Sequence, residues 1–519
     1  MSSRMTTRSL VWLVTLFGSA WLLLASDCLA QSSVKTSAPA PAPAAVAEES
    51  WQVIHIGGQR VGYQYSRERV ELRDKKMIVI TVNDSRTTLK RFGQELKMSS
   101  SLRIEEAESG ELLRFSFEVK NPPIQDSLTE GIVNGEQLEL TTTLAGRTDK
   151  RRVPWEPDTK SPAFPDRWLR DHPLKPGETK SFKVYLPEFA KLSQQHIAAD
   201  EVRPVKLLDG KEVSLLRVKV SFSAIPEIKP RQYVDAAWRT KVTEIDMFGG
   251  VTRLYDVPRD VALQTIAGAE LDLAVSTLIR IDPPILDAHR KKKIVYRLAM
   301  KEESPEPFFV VGGTQQIKRL VENGSKDHAI ELTVTTKPIP PVNSRPVKTD
   351  DSFLAPTRFL QTRDPAVVEH ADRAAGGETD PCRIATRMEK YVRDKLTKKN
   401  FSTAMASAAE VAKRMEGDCT EHAVLLAAML RAKKIPSRIA AGLVYVESLN
   451  SFGGHMWTEA FLAGEWIPLD ATLGKGGIGP AHLKMADSAL DEDAPLPVST
   501  FLPVFQALGK LKIEVLKSE

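Results

Sequence analysis

Cysteine is almost missing from this chain. Three occur in 519 residues, Cys28, Cys382 and Cys419, so neither a disulfide framework nor a multi-cysteine zinc ribbon is available to it. An excess of one charge is missing too. The 72 basic and 67 acidic side chains leave only +5, too little over this length to read as a nucleic-acid-binding surface. Hydrophobic residues at 42% and charged residues at 27% are ordinary for a soluble globular protein and exclude a disordered chain, a collagen-like fibre and a multi-span membrane protein. The length corresponds to about three domains. Composition assigns no function.

What is present begins with a targeting pattern. Arg4 and Arg8 precede the apolar run Leu10–Ala25, and Ala30, with Cys28 two positions before it, offers a cleavage site ahead of Gln31. Positive, apolar, then small is the order of a secretory signal. Residues 1–30 therefore read as a cleaved leader and the protein as exported, to the periplasm or cell envelope, with no membrane span once the leader is gone. An uncleaved anchor is the weaker reading, because about sixteen apolar residues fall short of a bilayer. A lipid on Cys28 is disfavoured by Asp27 before it. Residues 31–49 are a Pro/Ala-rich spacer with nothing to bury.

Residues 50–338 read as antiparallel sheet. Short alternating β-branched segments are punctuated by Gly57-Gly58, Glu108-Ser109-Gly110, Asn134-Gly135, Asp209-Gly210, Gly249-Gly250 and Asn323-Gly324. Such residues supply the positive φ of tight hairpins. Only Glu188–Ala199 reads as helix. The basic run Arg290–Lys293 is a solvated turn rather than a contact for an anionic surface. No nucleophile-base pair, metal-ligand spacing or phosphate loop appears, so this stretch is expected to bind or scaffold.

A linker is expected over residues 339–358, where Lys337–Pro356 carries five prolines. Beyond it, over residues 359–519, the texture becomes helical. Apolar residues at three- and four-residue spacing predict helices over Pro365–Ala375, Pro381–Leu396 and Ala406–Met415. Cys382, at the start of the second, reads as a small core hydrophobe.

The chemistry concentrates at Gly417-Asp418-Cys419-Thr420-Glu421-His422-Ala423. Asp418 with Glu421 three residues on is a capping box, and Val424, Leu425, Ala428, Met429 and Ala432 form one apolar stripe before Pro436 stops the helix. Cys419 thus falls in the first turn, where unpaired N–H groups favour a thiolate. Ser437–Val446 follows as a strand. Then His455–Leu462 meets Glu465–Asp470 across Ala463-Gly464. With that loop, Leu462 opposes Glu465, His455 opposes Thr472, and Asp470 lies one diagonal from His455 on the same face. A loop changed by one residue would separate them.

These residues suit nucleophilic acyl transfer. Cys419 would attack a carbonyl, His455 would hold the thiolate and protonate the leaving amine, and Asp470 would orient the imidazole. The Cys419 N–H would be one oxyanion donor. A zinc site of Cys419, His422 and His455 is the competing reading. It would lack the second cysteine pair typical of structural zinc. Trp457 and Trp466 read as core aromatics, either of which could wall the site.

Asn400-Phe401-Ser402-Thr403, Gly417–Val446, Gly453–Phe461 and Glu465–Leu473 together resemble the transglutaminase-like superfamily, specifically its exported bacterial members. The likeness continues into Gly479–Lys484 and Leu508–Leu516. It implies an α+β, papain-like core, with a helix-borne cysteine against an antiparallel sheet and the large β-rich region ahead of it. It also implies the triad Cys419, His455 and Asp470, and an oxyanion donor upstream of the cysteine, for which Asn400 is the candidate. No metal or other cofactor is carried over, because the acidic cluster Asp487–Asp493 lacks the order of a calcium loop. The expected function is an exported cysteine enzyme performing acyl transfer or hydrolysis on protein or peptide amides. A cell-envelope component is a further expected partner. The alternative is a non-catalytic envelope binding or scaffold protein that retains the fold.

Overall fold

The computed structural model describes residues 48–120, 126–144, 147–247, 250–264, 271–301, 303–320, 328–341, 347–399, 405–474, 478–491 and 498–519. The expected leader over 1–30 lies outside the described residues, as does nearly all of the spacer over 31–49. Two units are distinguished. One comprises Met1–Lys90, Glu95–Asp246 and Val251–Leu271, the other Arg91–Gln94, Met247–Gly250 and Asp272–Glu519. The chain is α+β, with antiparallel sheets in both units.

The first unit is built on one fourteen-stranded sheet. Strands pair with their sequence neighbours, and Glu48–Ile56 joins the two halves by pairing with Gly250–Val257, Trp51 opposite Val257. Arg147–Pro154 and Thr179–Leu186 are the edges. Alternation decides which side is buried. In Leu112–Lys120 the inward residues are Leu112, Phe115, Phe117 and Val119, the period of a pleated strand. Gly57 and Gly58, Gly135 and Gly210 take the positive φ that their hairpins require. The turn at Gly249 and the one at Asn323-Gly324 lie outside the described residues.

One expected helix is a strand instead. Glu188–Ala199 begins as a turn and continues into Lys191–Lys206, which pairs on both sides. Its inward residues are Ser193, Gln195, Ile197 and Ala199. Polar side chains in the inward set disguised the alternation.

The expected domain edge also differs. Ile279–Arg280 pairs with Ser451–Leu462, and Lys293–Met300 lies between His328–Thr335 and Lys512–Ser518. Residues from 272 onward therefore group with the C-terminal part, not with a β-rich domain running to 338. The proline-rich stretch over 339–358 is a connection inside the second unit. Alternation marks a strand without naming its partner, and here the partners are far away in sequence.

Four helices of the second unit run over Pro365–Ala375, Pro381–Lys395, Ala408–Arg414 and Cys419–Ala432. The last is buried from Thr420 to Arg431, more completely than one apolar stripe implies. The other three helices and the strands Ser437–Val446 and Ser451–Leu462 all pack against it. Thr458 Oγ1 donates to Ala423 O at 2.8 Å and Ser437 Oγ to Ala427 O at 2.8 Å, which fixes helix to sheet. The sheet order is Ile279–Arg280, Ser451–Leu462, Ser437–Val446, His482–Ser488, with Glu465–Leu469 also on Ser451–Leu462. At Gly442 the neighbouring strand comes so close that a Cβ would lie 2.0 Å from Leu483 O. Only glycine permits that approach.

Candidate active site

Cys419 is the first residue of its helix, as its capping box predicted. Asp418 is the N-cap and accepts from Thr420 N at 2.8 Å, while Glu421 accepts from Asp418 N at 3.0 Å. The other oxygen of Glu421 accepts from Ala406 N at 2.9 Å. Burial and the adjacent Asp418 charge raise the Glu421 carboxyl well above its usual range. Gly417, at φ +149, leaves room for that carboxylate, since a Cβ there would meet the Glu421 side chain at 2.4 Å. Cys419 is partly buried, whereas Cys382 is buried and its thiol is pushed up, chiefly by burial and then by Asp380.

The hairpin loop is Ala463-Gly464, both at positive φ, and Leu462 opposes Glu465 as expected. The ladder ends at Thr458 opposite Leu469, so the expected pairing of His455 with Thr472 is not made. Instead Asp470 N donates to Glu389 Oε1 at 2.8 Å, drawing the chain off the sheet. This turns the Asp470 carboxylate back. Its Oδ1 accepts from Thr472 N at 2.8 Å, and its Oδ2 accepts from His455 Nε2 at 2.9 Å. Asp470 and His455 meet, through side chains rather than register.

His455 also shares a side-chain hydrogen bond with Cys419, so the structure brings Cys419, His455 and Asp470 together. Burial of the imidazole opposes its charge. The Asp470 carboxylate and the Cys419 sulfur outweigh it and raise the pKa to about 10. Burial likewise opposes the Asp470 charge, and His455 and His482 overcome it, holding the carboxyl well below its usual range. The pair is thus charged across neutral pH.

His482, Glu389 and Lys399 take part without having been singled out from the sequence. His482 Nε2 donates to Asp470 Oδ2 at 3.0 Å. Glu389 was legible as one carboxylate amid the buried Ile384, Ala385, Met388 and Val392 of its helix. Lys399 Nζ donates to His422 Nε2 at 3.3 Å, and His422 Nδ1 donates to Asp418 O at 2.5 Å. With both ring nitrogens so engaged, His422 does not join Cys419 and His455 in the zinc site that the spacing allowed. Among the described residues a different set, His455, Asp470 and His482, has ligand atoms within 4.8 Å of one another. Two N–H donors on one carboxylate oxygen account for that closeness. Trp457 walls the site, stacked on His455 at 6.2 Å between ring centres, whereas Trp466 packs on Phe353 and Phe461. Asn400 lies outside the described residues.

Residues 369–471 match the family model of the transglutaminase-like superfamily, so the chain carries a transglutaminase-like core. No curated protein matches the chain. Among solved structures, it is similar to a protein from Cytophaga hutchinsonii described as a candidate cysteine protease, at 16% identity over 43% of this chain and 83% of that one, with a TM-score of 0.26. A beta-barrel-like DUF1849 protein from Brucella abortus matches at 8% identity over 40% of this chain and 94% of that one, with a TM-score of 0.28. The periplasmic domain of TgpA from Pseudomonas aeruginosa, bound to ethylmercury, matches at 15% identity over 37% of this chain and 77% of that one, with a TM-score of 0.25. Among the described residues no helix is long and apolar enough to cross a membrane.

Proposed function

We propose that this protein is an exported cysteine enzyme that opens protein or peptide amide bonds in the cell envelope through a thioacyl intermediate on Cys419. The observation that carries the reading is His455, buried between the Asp470 carboxylate and the Cys419 sulfur with both hydrogen bonds made. A buried imidazole raised to about 10 is protonated at neutral pH, the state that pairs with a thiolate. The leader pattern at residues 1–30 supports export.

In the proposed cycle the Cys419 thiolate attacks the amide carbon, forming a C–S bond and an oxyanion. The Cys419 N–H at the open helix start faces that oxyanion, and Asn400 is the candidate second donor. His455 passes its proton to the amine as the C–N bond breaks. Water or a second amine then attacks the thioester and gives its proton to His455, and the thiolate leaves. Hydrolysis and crosslinking differ only in that last nucleophile.

The test compares the mature protein with Cys419→Ala on casein, a labelled primary amine and peptide substrates. Amine incorporation or peptide cleavage is expected from the wild type and none from the variant. Equal activity in both would rule the mechanism out.

A further inference from the structure

The triad carboxylate carries more than the triad requires. Asp470 Oδ2 accepts two imidazole N–H groups, from His455 at 2.9 Å and from His482 at 3.0 Å. All three residues are buried, so water cannot stand in for either donor. Resting on the reading above, we propose that His482 is a positioning residue. It is a neutral imidazole that occupies the second lone pair of Asp470 Oδ2, keeps the carboxylate ionised in a dry site and fixes the direction it presents to His455.

The packing around His482 has the features of a held donor. Its strand pairs with Ser437–Val446, placing His482 opposite Val444, and the close approach at Gly442 seats that strand. Tyr296 OH donates to Pro480 O at 2.8 Å, bracing the chain two residues earlier. The His482 ring meets Trp457 edge-on at 5.3 Å and His289 at 5.6 Å. An apolar side chain would fill that space as well. What the imidazole adds is the N–H aimed at Asp470.

The tautomer follows from the surroundings. His482 Nδ1 is buried with no hydrogen-bond partner, as suits the bare nitrogen of a neutral ring whose proton sits on Nε2. Burial pulls its pKa to about 4, and the His455 and His289 charges add to this against the pull of Asp470. Lys399 also faces Asp470, and the His422 ring beside it, pulled to about 4 by burial and then by Lys399, is uncharged at neutral pH. Glu389 is occupied by the Asp470 backbone N–H. Without His482, Oδ2 keeps one donor in a fully buried site, and an under-solvated carboxylate either takes a proton or turns. Both outcomes weaken its hold on the His455 imidazolium.

The experiment follows the ring nitrogens of ¹⁵N-histidine-labelled mature protein across pH 5–11, with iodoacetamide alkylation of Cys419 at pH 6.5 alongside. In the wild type, His482 is expected as the neutral Nε2–H tautomer at pH 7 and His455 as an imidazolium that titrates near 10. His482→Ala and His482→Asn, whose amide is too short, are expected to lower the His455 midpoint by at least one unit and to slow alkylation about tenfold. His482→Gln, whose amide nitrogen reaches the Nε2 position, is expected to restore both. An unchanged His455 midpoint in His482→Asn would overturn the proposal. If the variants do not fold, a wild-type His482 that is charged or protonated on Nδ1 would overturn it equally. A wild-type His455 that titrates near 6.5 would instead defeat the enzyme mechanism itself, so the two failures are distinguishable.

Discussion

Gly442 stands opposite His455 in the antiparallel pair of Ser437–Val446 with Ser451–Leu462. On its other side it pairs with Lys484, two residues beyond His482. One residue without a side chain thus sets the spacing of the two strands that bring imidazoles to Asp470. Gly442→Ala would place a methyl group 2.0 Å from Leu483 O, a backbone atom that cannot swing away. A loss of about 1–3 kcal/mol is expected from overpacking of this kind, read as a lower denaturant midpoint. The expected activity loss at 20 °C, well below unfolding, exceeds what the stability change explains, because the His482 strand is displaced.

Asp470→Asn keeps the shape and removes the charge. The His455 midpoint is expected to fall from about 10 towards 6.5, since Asp470 is the main group raising it. Turnover at pH 7 should drop by about 10²–10⁴, the usual size of an acid–base contribution. Histidine NMR and initial rates on the same sample check both. An unmoved His455 titration would show that the carboxylate does not hold the ring.

The pH dependence of stability in the second unit has a definite sign on the alkaline side. The folded pKa of His455, about 10, lies above its ordinary 6.5. Its stabilisation is therefore complete below about pH 6.5 and is lost as pH rises through about 10. The expected decline is on the order of a few kcal/mol. Denaturation midpoints at pH 6, 8 and 10 should fall in that order, and His455→Gln should flatten the series.

Glu188, in the first unit, is a buried carboxyl with neither side-chain oxygen hydrogen-bonded, and burial pushes its pKa up to about 8. The protonated form suits the fold, so its favourable contribution is present below about 4.5 and lost as pH rises through about 8. Glu188→Leu should leave the melting temperature of this unit nearly unchanged at pH 4.5 and raise it at pH 8.5, by several degrees. Calorimetry at the two pH values decides it, and a variant less stable than wild type at pH 8.5 would count against a buried, unpaired carboxylate.

The helices of the second unit were legible because their signals are local. Asp364 and Asp380 cap helices that begin at prolines, and Asp418 with Glu421 closes a capping box. The Ala463-Gly464 hairpin was legible for the same reason, and it brought Asp470 within reach of His455. What escaped was long-range. Nothing near Lys293–Met300 says that its partner is Lys512–Ser518, so the unit boundary was misplaced. His482 lay inside the recognised Gly479–Lys484 segment, yet its role depends on a carboxylate twelve residues earlier in another element. Gln195 pointing inward hid a strand in the first unit.

The pairing of Lys293–Met300 with Lys512–Ser518 bears on the order in which the surroundings of Cys419 can assemble. Tyr296, on the first of those strands, braces the segment that delivers His482. At about 5–20 residues per second a ribosome needs on the order of 10–40 s to get from one strand to the other. Cys419 leaves the ribosome partway through that interval, so the sulfur is made before the strand that completes the sheet around Tyr296 is available to pair.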